Sequence, residues 1–194
     1  FFANIPIRTG WLGEVRYGLV NDIRVLDKNI QHLMIEKFSA LSTNKIDYQV
    51  ANLSFPSLAV DSSNQALKFK LFNINPELPT IGICPGAEFG PAKKWPASYY
   101  ADIALNYIEK GWNVICFGSE NDKQTGAEIC KENDLSKSEN FHNIIGRTDL
   151  LDAIDLLSFC KIVVTNDSGL MHIAAAVSTP LVALYGPSSP EYTP

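Results

Sequence analysis

The sequence lacks most of the patterns that identify metal, redox and membrane proteins. It has four cysteines and three histidines in 194 residues. No two cysteines have the Cys-x-x-Cys spacing of a zinc ribbon or a redox motif, and the histidines show no metal-ligand spacing. No Asp-x-Asp appears for a bound metal, and no apolar run approaches the roughly 20 residues of a membrane span. These absences exclude the commonest zinc, dithiol and transmembrane classes.

Charge and composition narrow the class further. The net charge is −5, which argues against nucleic acid as a partner. A hydrophobic content of 46% and a charged content of 19% are ordinary for a soluble globular protein. Cys84, Cys116 and Cys160 lie in or beside apolar runs, so we expect buried thiols in a reducing compartment. The chain starts at Phe1 and ends just after a predicted strand, and we expect a fragment cut at both ends.

From about residue 79 onward, apolar strand-like runs alternate with helical patterns. This alternation predicts an α/β fold with a parallel sheet and helices on both faces. The predicted strands are Thr80–Cys84, Asn113–Phe117, Asn143–Ile145, Lys161–Thr165 and Leu181–Tyr185. The predicted helices are Ala97–Lys110, a segment ending near Lys131, Asp149–Ser158 and Gly169–Ala176. In the third of these helices the apolar positions are Leu150, Leu151, Ile154 and Leu157.

The first 75 residues or so have weaker periodicity. We predict helices at Ile30–Leu41 and Gln65–Phe72 and a strand end at Phe1–Ile7. The mixed sequence Trp11–Arg24 gives no clear element, and Asp61–Asn64 is typical of a boundary.

The most informative segment is Val163–Ala176, where a buried strand leads directly into a helix N-terminus. Such a turn presents unpaired backbone N–H groups and the positive end of a helix dipole, for which phosphate is the usual ligand. Asp167 adds a carboxylate that can hold sugar hydroxyls, and His172 lies one helical turn after Ser168. Two plainer interpretations stay open: Asp167 or Ser168 caps a structural helix, and His172 is an ordinary helix histidine.

A second candidate for phosphate binding lies upstream, where the strand Thr80–Cys84 ends in a loop. The loop contains Gly86 and Gly90, and Lys93 and Lys94 follow it. Glycines let a backbone approach an anion closely, and lysines supply positive charge. Neither the Gly-Lys-Ser/Thr of nucleotide triphosphatases nor the Gly-x-Gly-x-x-Gly fingerprint is present. The alternative is a surface loop whose lysines are solvated.

The polar loops all follow predicted strands. In a parallel sheet the carboxyl ends of the strands meet at one edge, where ligands bind. We therefore expect four loops to converge on a single crevice: Gly86–Lys94, Gly118–Asp122, Thr165–Gly169 and Gly186–Ser189.

Four stretches in the right order identify a family. Arg8–Asp22, Cys84–Pro96, Asn166–Ala176 and Tyr185–Pro187 together resemble the bacterial lipopolysaccharide heptosyltransferases of glycosyltransferase family 9. The resemblance implies a GT-B fold, in which two Rossmann-like domains face a cleft. On that pattern, residues 1–64 are the C-terminal part of the acceptor-side domain, 65–78 an interdomain linker and 79–194 a truncated donor-binding domain.

The resemblance also implies roles for individual residues. Lys93 stabilises the donor diphosphate, Asp122 contacts the adenosine ribose and Thr148 contacts the adenine. Asp167 touches the heptose hydroxyls. The remaining positions placed at the donor are Glu88, to which no particular role is assigned, Lys94, Gly118, Ser168, Gly169, Leu170 and His172.

The implied reaction is an inverting transfer of heptose from ADP-heptose to the inner core of lipopolysaccharide, adding the second heptose. It implies a cytoplasmic monomer at the inner membrane, in peripheral contact with it, with no cofactor, metal or nucleic acid. The family's catalytic aspartate sits in an N-terminal glycine loop that this sequence does not contain. We therefore expect the base upstream of Phe1 and no transfer by the chain alone.

Three alternatives stay open. A paralogous heptosyltransferase, of type I or III, would carry the same motifs. A non-catalytic nucleotide-sugar-binding module would bind the donor without turnover. A hydrolase could use Ser168 and His172, although the Gly-x-Ser-x-Gly motif is absent.

Overall fold

The computed structural model describes residues 4–13, 15–27, 32–42, 54–87 and 90–191. It contains two compact units, one formed by Phe1–Phe55 with Ser189–Pro194 and the other by Pro56–Ser188. The segment 65–78, expected to be a linker, lies within the second unit. Its helix, Ser62–Phe72, packs there against the helix Leu150–Phe159.

The first unit contains two short parallel strands and a helix, β1 (Thr9–Trp11), β2 (Asp22–Arg24) and α1 (Met34–Ala40). Arg24 is buried and donates from Nη1 to the carbonyl of Ala40 at 2.6 Å, which holds α1 against β2. Neither strand was predicted, because three residues are too few to show a period. Residues 4–7, the described part of the predicted strand end, form no strand, and α1 begins four residues later than predicted.

The second unit is the predicted parallel α/β fold. Five parallel strands form one sheet in the order β5-β4-β3-β6-β7. They are β3 (Thr80–Cys84), β4 (Asn113–Cys116), β5 (Phe141–Asn143), β6 (Ile162–Asn166) and β7 (Leu181–Leu184). The helices are α2 (Ser62–Phe72), α3 (Ala97–Glu109), α4 (Lys123–Lys131), α5 (Leu150–Phe159) and α6 (Gly169–Ala176). Along the sequence, strands are added on one side of β3, first β4 and then β5, and afterwards on its other side, first β6 and then β7. The strand order therefore reverses between β3 and β6.

The sheet is covered on both faces, as side-chain alternation along a strand requires. Ile81 and Ile83 of β3 pack on one side with Tyr100 of α3. Cys84 packs on the other side with Leu157 of α5, together with Ala174 of α6. Three thiols predicted to be buried are so, and burial raises the pKa of Cys84 to about 12.

Two predictions in this unit need correction. The short third strand is Phe141–Asn143 rather than Asn143–Ile145, because Ile144 and Ile145 are core residues that follow the strand. Leu150 and Leu151, expected among the apolar positions of α5, are 62% and 68% exposed.

Acidic residues of α5 are buried instead of these leucines. Asp152 and Asp155 face α2, whose Asn64 donates from Nδ2 to both carboxylates at 3.0 and 2.8 Å. Lys68 forms an ion pair with Asp152 at 2.7 Å. The side of α5 that packs on α2 therefore presents buried carboxylates next to an apolar contact, in which the rings of Phe159 and Phe69 lie 4.5 Å apart. Among the described residues, no helix is long and apolar enough to cross a membrane.

Candidate functional site

A cleft of about 390 Å³ opens at the carboxyl ends of β3, β4 and β6. This is the edge at which parallel sheets bind ligands, and it lies where the strand order reverses. Its lining comes from the loops after four strands and from the starts of α5 and α6. The residues are Gly86, Ala87, Phe117, Gly118, Ser119, Asp122, Thr148, Asp149, Leu150, Ala153, Asp167, Ser168, Gly169, Leu170 and Ile173.

Ser168 stands at the N-cap of α6 in an extended conformation, but its side chain makes no capping hydrogen bond. Its Oγ is buried and has no partner among the described residues. The helix-capping interpretation is therefore wrong for Ser168. A buried hydroxyl without a partner is costly and unusual, and here it adjoins the first N–H groups of a helix. A ligand oxygen at this point would satisfy it.

Asp167, which lines the cleft, forms an ion pair with Lys93. Nζ of Lys93 lies 2.6 Å from Oδ2 of Asp167, and the same oxygen accepts a hydrogen bond from Oγ of Ser188. Hydrogen bonds from Lys93 and Ser188 hold the pKa of Asp167 below its ordinary value. Lys93 is thus not a solvated surface lysine, and Asp167 is not a helix cap.

Asp122 is engaged within the protein. Its Oδ2 accepts from the backbone N and the Oγ of Ser119 at 2.9 and 2.8 Å, while Lys94 lies 3.7 Å from Oδ1. A Cβ on Gly86 would lie 2.6 Å from Oδ2 of Asp122. Only a glycine at position 86 lets the loop after β3 approach the loop after β4 so closely.

The start of α5 forms another part of the cleft wall. Thr148 and Leu150 line the cleft there. Asp149 caps the helix, because its carboxylate accepts from the N–H of Asp152 at 2.8 Å, and Asp152 accepts in return from the N–H of Asp149 at 3.2 Å. This reciprocal capping box fixes the position of Leu150.

Three of the four loops that were expected to converge line the cleft, and the fourth, Gly186–Ser189, contacts two of them without lining it. Ser188, in the last of them, reaches Asp167, and a Cβ on Gly186 would lie 2.7 Å from the carbonyl of Ala92. His172 is exposed on α6 and does not line the cleft. It makes no described hydrogen bond with Ser168, whose Oγ has no partner, so no serine–histidine pair of a hydrolase exists. Glu88 lies outside the described residues.

Sequence reasoning missed the apolar part of the cleft. Phe117, Leu150, Ala153 and Ile173 line it but were not among the candidates. One sequence signal could have found Leu150: it is an apolar residue in the first turn of a helix that follows a strand. That turn lies above the carboxyl edge of the sheet, where ligands bind. Leu170, at such a position on α6, was a candidate only because of its place in the motif. Within the described ranges, no group of three or more histidine, cysteine or acidic side chains is placed to hold a metal ion.

Comparison with known proteins gives a consistent result. The family model described as glycosyltransferase family 9 (heptosyltransferase) matches residues 1–194. Lipopolysaccharide heptosyltransferase 2 of Salmonella typhimurium is 49% identical over the whole chain, and that of Escherichia coli is 48% identical. The chain spans 57% of the length of each of these relatives. The solved structure of E. coli ADP-heptose lps heptosyltransferase II matches all of this chain and 60% of its own, with a TM-score of 0.90 and 47% identity.

Proposed function

The chain belongs to glycosyltransferase family 9, the heptosyltransferases, and we propose that its cleft binds ADP-heptose as a donor. We further propose that the whole protein transfers this heptose, with inversion, to the inner core of lipopolysaccharide as its second heptose. Relatives that match the full chain carry the name heptosyltransferase 2, which favours this type over types I and III.

The observation that carries the proposal is the unpartnered, buried Oγ of Ser168 at the start of α6. A diphosphate placed there would accept from this hydroxyl and from the first N–H groups of the helix, and it would gain from the helix dipole. Lys93 lies close by, 2.6 Å from Asp167, the residue that precedes Ser168. An anion is the ligand class that satisfies all of these groups together.

The rest of the cleft suits the two ends of such a donor. Phe117, Leu150 and Ile173 offer apolar surface of the kind that a purine covers. Asp167 has a carboxylate that can accept hydrogen bonds from sugar hydroxyls. When the diphosphate takes over Lys93, Asp167 keeps its bond to Ser188 and gains free acceptor capacity for the heptose.

The chemistry follows from these positions. Breaking the bond between the anomeric carbon and the diphosphate places negative charge on ADP, while the acceptor oxygen forms its bond on the opposite face. Lys93 and the N-terminus of α6 are placed to stabilise that charge as it develops. The acceptor hydroxyl must lose its proton to a base, and the aspartate upstream of Phe1 that the family resemblance implies stays a prediction.

Substitution of Ser168 by Ala tests the donor site. A capping serine would lose stability on this change, whereas removal of an unpartnered buried hydroxyl leaves stability unchanged or raises it. We expect Ser168→Ala to weaken ADP binding about fivefold or more in calorimetry, with no fall in melting temperature. Unchanged ADP affinity would contradict the proposal.

Thr179→Val is the matched control, because Thr179 Oγ1 is buried near the other end of α6 and donates to the carbonyl of Leu157 at 2.9 Å. It should lower the melting temperature and leave ADP affinity unchanged.

The transferase activity is tested on the full-length protein, with ADP-heptose and lipopolysaccharide that lacks the second heptose. Mass spectrometry then detects the added heptose, and binding without transfer would indicate a non-catalytic module instead.

A further inference from the structure

Asn166, the last residue of β6, is completely buried and has a fully used carboxamide. Its Oδ1 accepts from the hydroxyl of Tyr100 at 2.9 Å and from the backbone N of Trp95 at 3.3 Å. Its Nδ2 donates to the carbonyl of Pro85 at 2.7 Å and lies 3.4 Å from that of Gly86. One side chain therefore joins three separate segments of the unit.

The segments that Asn166 joins either line the cleft or carry Lys93, the ion-pair partner of Asp167. Pro85 and Gly86 form the exit from β3, and Gly86 lines the cleft. Trp95 follows two residues after Lys93, and Asp167 directly follows Asn166. The two partners of the 2.6 Å ion pair, 74 positions apart in sequence, are thus both anchored close to one carboxamide.

The chemistry of this position selects an amide. Tyr100 and the Trp95 N–H are donors and require an acceptor, while the Pro85 carbonyl requires a donor, and the carboxamide of Asn offers both on one planar group. Burial raises the pKa of Tyr100, which keeps its phenol protonated as a donor. An Asp here would place oxygen against the carbonyl oxygen of Pro85 and leave that acceptor without a donor.

We propose that Asn166 is a positioning residue of the donor site, which holds the Pro85–Gly86 exit and the Lys93–Trp95 segment in register with Asp167. This inference rests on the proposed function, since the site it positions is the donor cleft. It assigns to Asn166 no contact with the donor. A cleft whose groups are held in place before binding loses less entropy when the ligand arrives.

Asn166→Asp, compared with Asn113→Asp, tests the inference in the full chain. Asn113 is equally buried, at the other end of the same sheet, and its Nδ2 donates to the Asn75 carbonyl at 2.7 Å. Both variants lose stability, but only Asn166→Asp should weaken ADP binding, by tenfold or more at pH 8, in calorimetry well below the melting temperature. Equal affinities in the two variants would overturn the inference.

The pH dependence adds a readout that a general loss of stability would not give. As the pH falls, the Asp at position 166 gains a proton, and its neutral carboxyl can again donate to Pro85. The ratio of ADP affinities, Asn166→Asp over Asn113→Asp, should therefore rise towards one between pH 8 and pH 5.5. A ratio that stays flat would count against positioning through this hydrogen bond.

Two further measurements separate this inference from its premise. If Asn166→Asp does not fold, Tyr100→Phe removes one donor to Oδ1, and we expect a two- to fivefold loss of ADP affinity; no loss overturns the inference. If the unaltered chain fails to bind ADP, the proposed function fails. In that case hydrogen exchange at the Trp95 amide tests the role of Asn166 by itself. The exchange rate should rise in Asn166→Leu and not in Asn113→Leu, and equal rates in the two variants would overturn the inference.

Discussion

Nζ of Lys93 and Oδ2 of Asp167 lie 2.6 Å apart, so the two charged residues assigned to different parts of the donor bind each other in the free protein. In the proposed donor complex, a diphosphate would replace this carboxylate as the partner of the lysine. The ion pair holds Lys93 in a defined position before binding.

Lys93→Ala should weaken ADP binding by about 1.5–3 kcal/mol, the range for a hydrogen bond to a charged group. It should also raise the pKa of Asp167, since its main stabilising partner is lost. Calorimetry with ADP measures the first effect. Lys110→Ala is the control, because Lys110 directly follows α3, is exposed and donates to Oδ1 of the nearby Asn106. Equal affinities for ADP in the two variants would show that Lys93 does not belong to the site.

Asp167→Asn should harm recognition of the heptose more than that of ADP. The substitution frees Lys93 for phosphate, so ADP affinity should stay within about threefold, roughly 0.7 kcal/mol. ADP-heptose affinity should fall further, because an amide cannot accept as many sugar hydroxyls as a carboxylate. The comparison needs both ligands on the same preparation, and equal losses would mean that Asp167 acts on the fold.

Leu150→Ser should weaken ADP binding with little effect on stability. Leu150 is 62% exposed but lines the cleft, so a bound purine would cover it. Burial of part of a leucine contributes about 1 kcal/mol, or roughly fivefold in affinity. Leu151→Ser is the matched control, since Leu151 is 68% exposed and does not line the cleft. The melting temperatures of both variants should stay near that of the unaltered chain. An equal loss of ADP affinity in the two variants would argue against an adenine site next to Leu150.

Asp152→Asn should destabilise the second unit in a pH-dependent manner. Burial alone would raise the pKa of Asp152, but hydrogen bonds from Lys68, Asn64 and the Asp149 N–H outweigh it and lower the pKa. A carboxylate with a lowered folded pKa stabilises the fold above its unfolded value of about 3.9, and this stability is lost as the pH falls through the folded pKa.

The expected loss for Asp152→Asn is about 2–3 kcal/mol at pH 7, shrinking towards zero as the pH falls through the lowered folded pKa of Asp152. Urea unfolding at a series of pH values measures it. Asp134→Asn serves as control, because Asp134 forms an exposed ion pair with Lys137 at 2.9 Å and should change stability by less than about 0.5 kcal/mol. A loss for Asp152→Asn that does not vary with pH would show that packing, not charge, is responsible.

Local sequence predicted the strands and helices of the second unit well where one signal dominated. β3 and α6 have the predicted bounds. β3 is an apolar run that ends at Pro85, and the start of α6 is set by the polar turn Asn166–Gly169. The sequence also predicted α5 to within one residue and the burial of Ile154 and Leu157, but it was wrong for Leu150 and Leu151, which are exposed. The reason is that α2 presents Asn64 and Lys68 to α5, which no local period reveals.

The site was predicted in its residue types more than in its contacts. Lys93, Asp167 and Ser168 were candidates because of motifs, but the ion pair between the first two and the missing cap of the third depend on packing. The role of Asn166 was not predicted, since its four hydrogen-bonding partners lie 66 to 81 residues away in sequence. His172, placed at the site by its motif, is exposed and does not line the cleft, but after Lys93 and Ser188 it also helps to lower the pKa of Asp167.

The reversal of strand order between β3 and β6 has a consequence for how this cleft can change. The chain leaves β3 towards α3 on one face of the sheet and leaves β6 towards α6 on the other. The gap between the two loops therefore follows from the path of the backbone, while side chains such as Asn166 set the positions of the groups that line it. Substitutions can remove affinity or redirect it to another anion, but the backbone still leaves a gap at this edge of the sheet, and this leaves the scaffold open to new ligands.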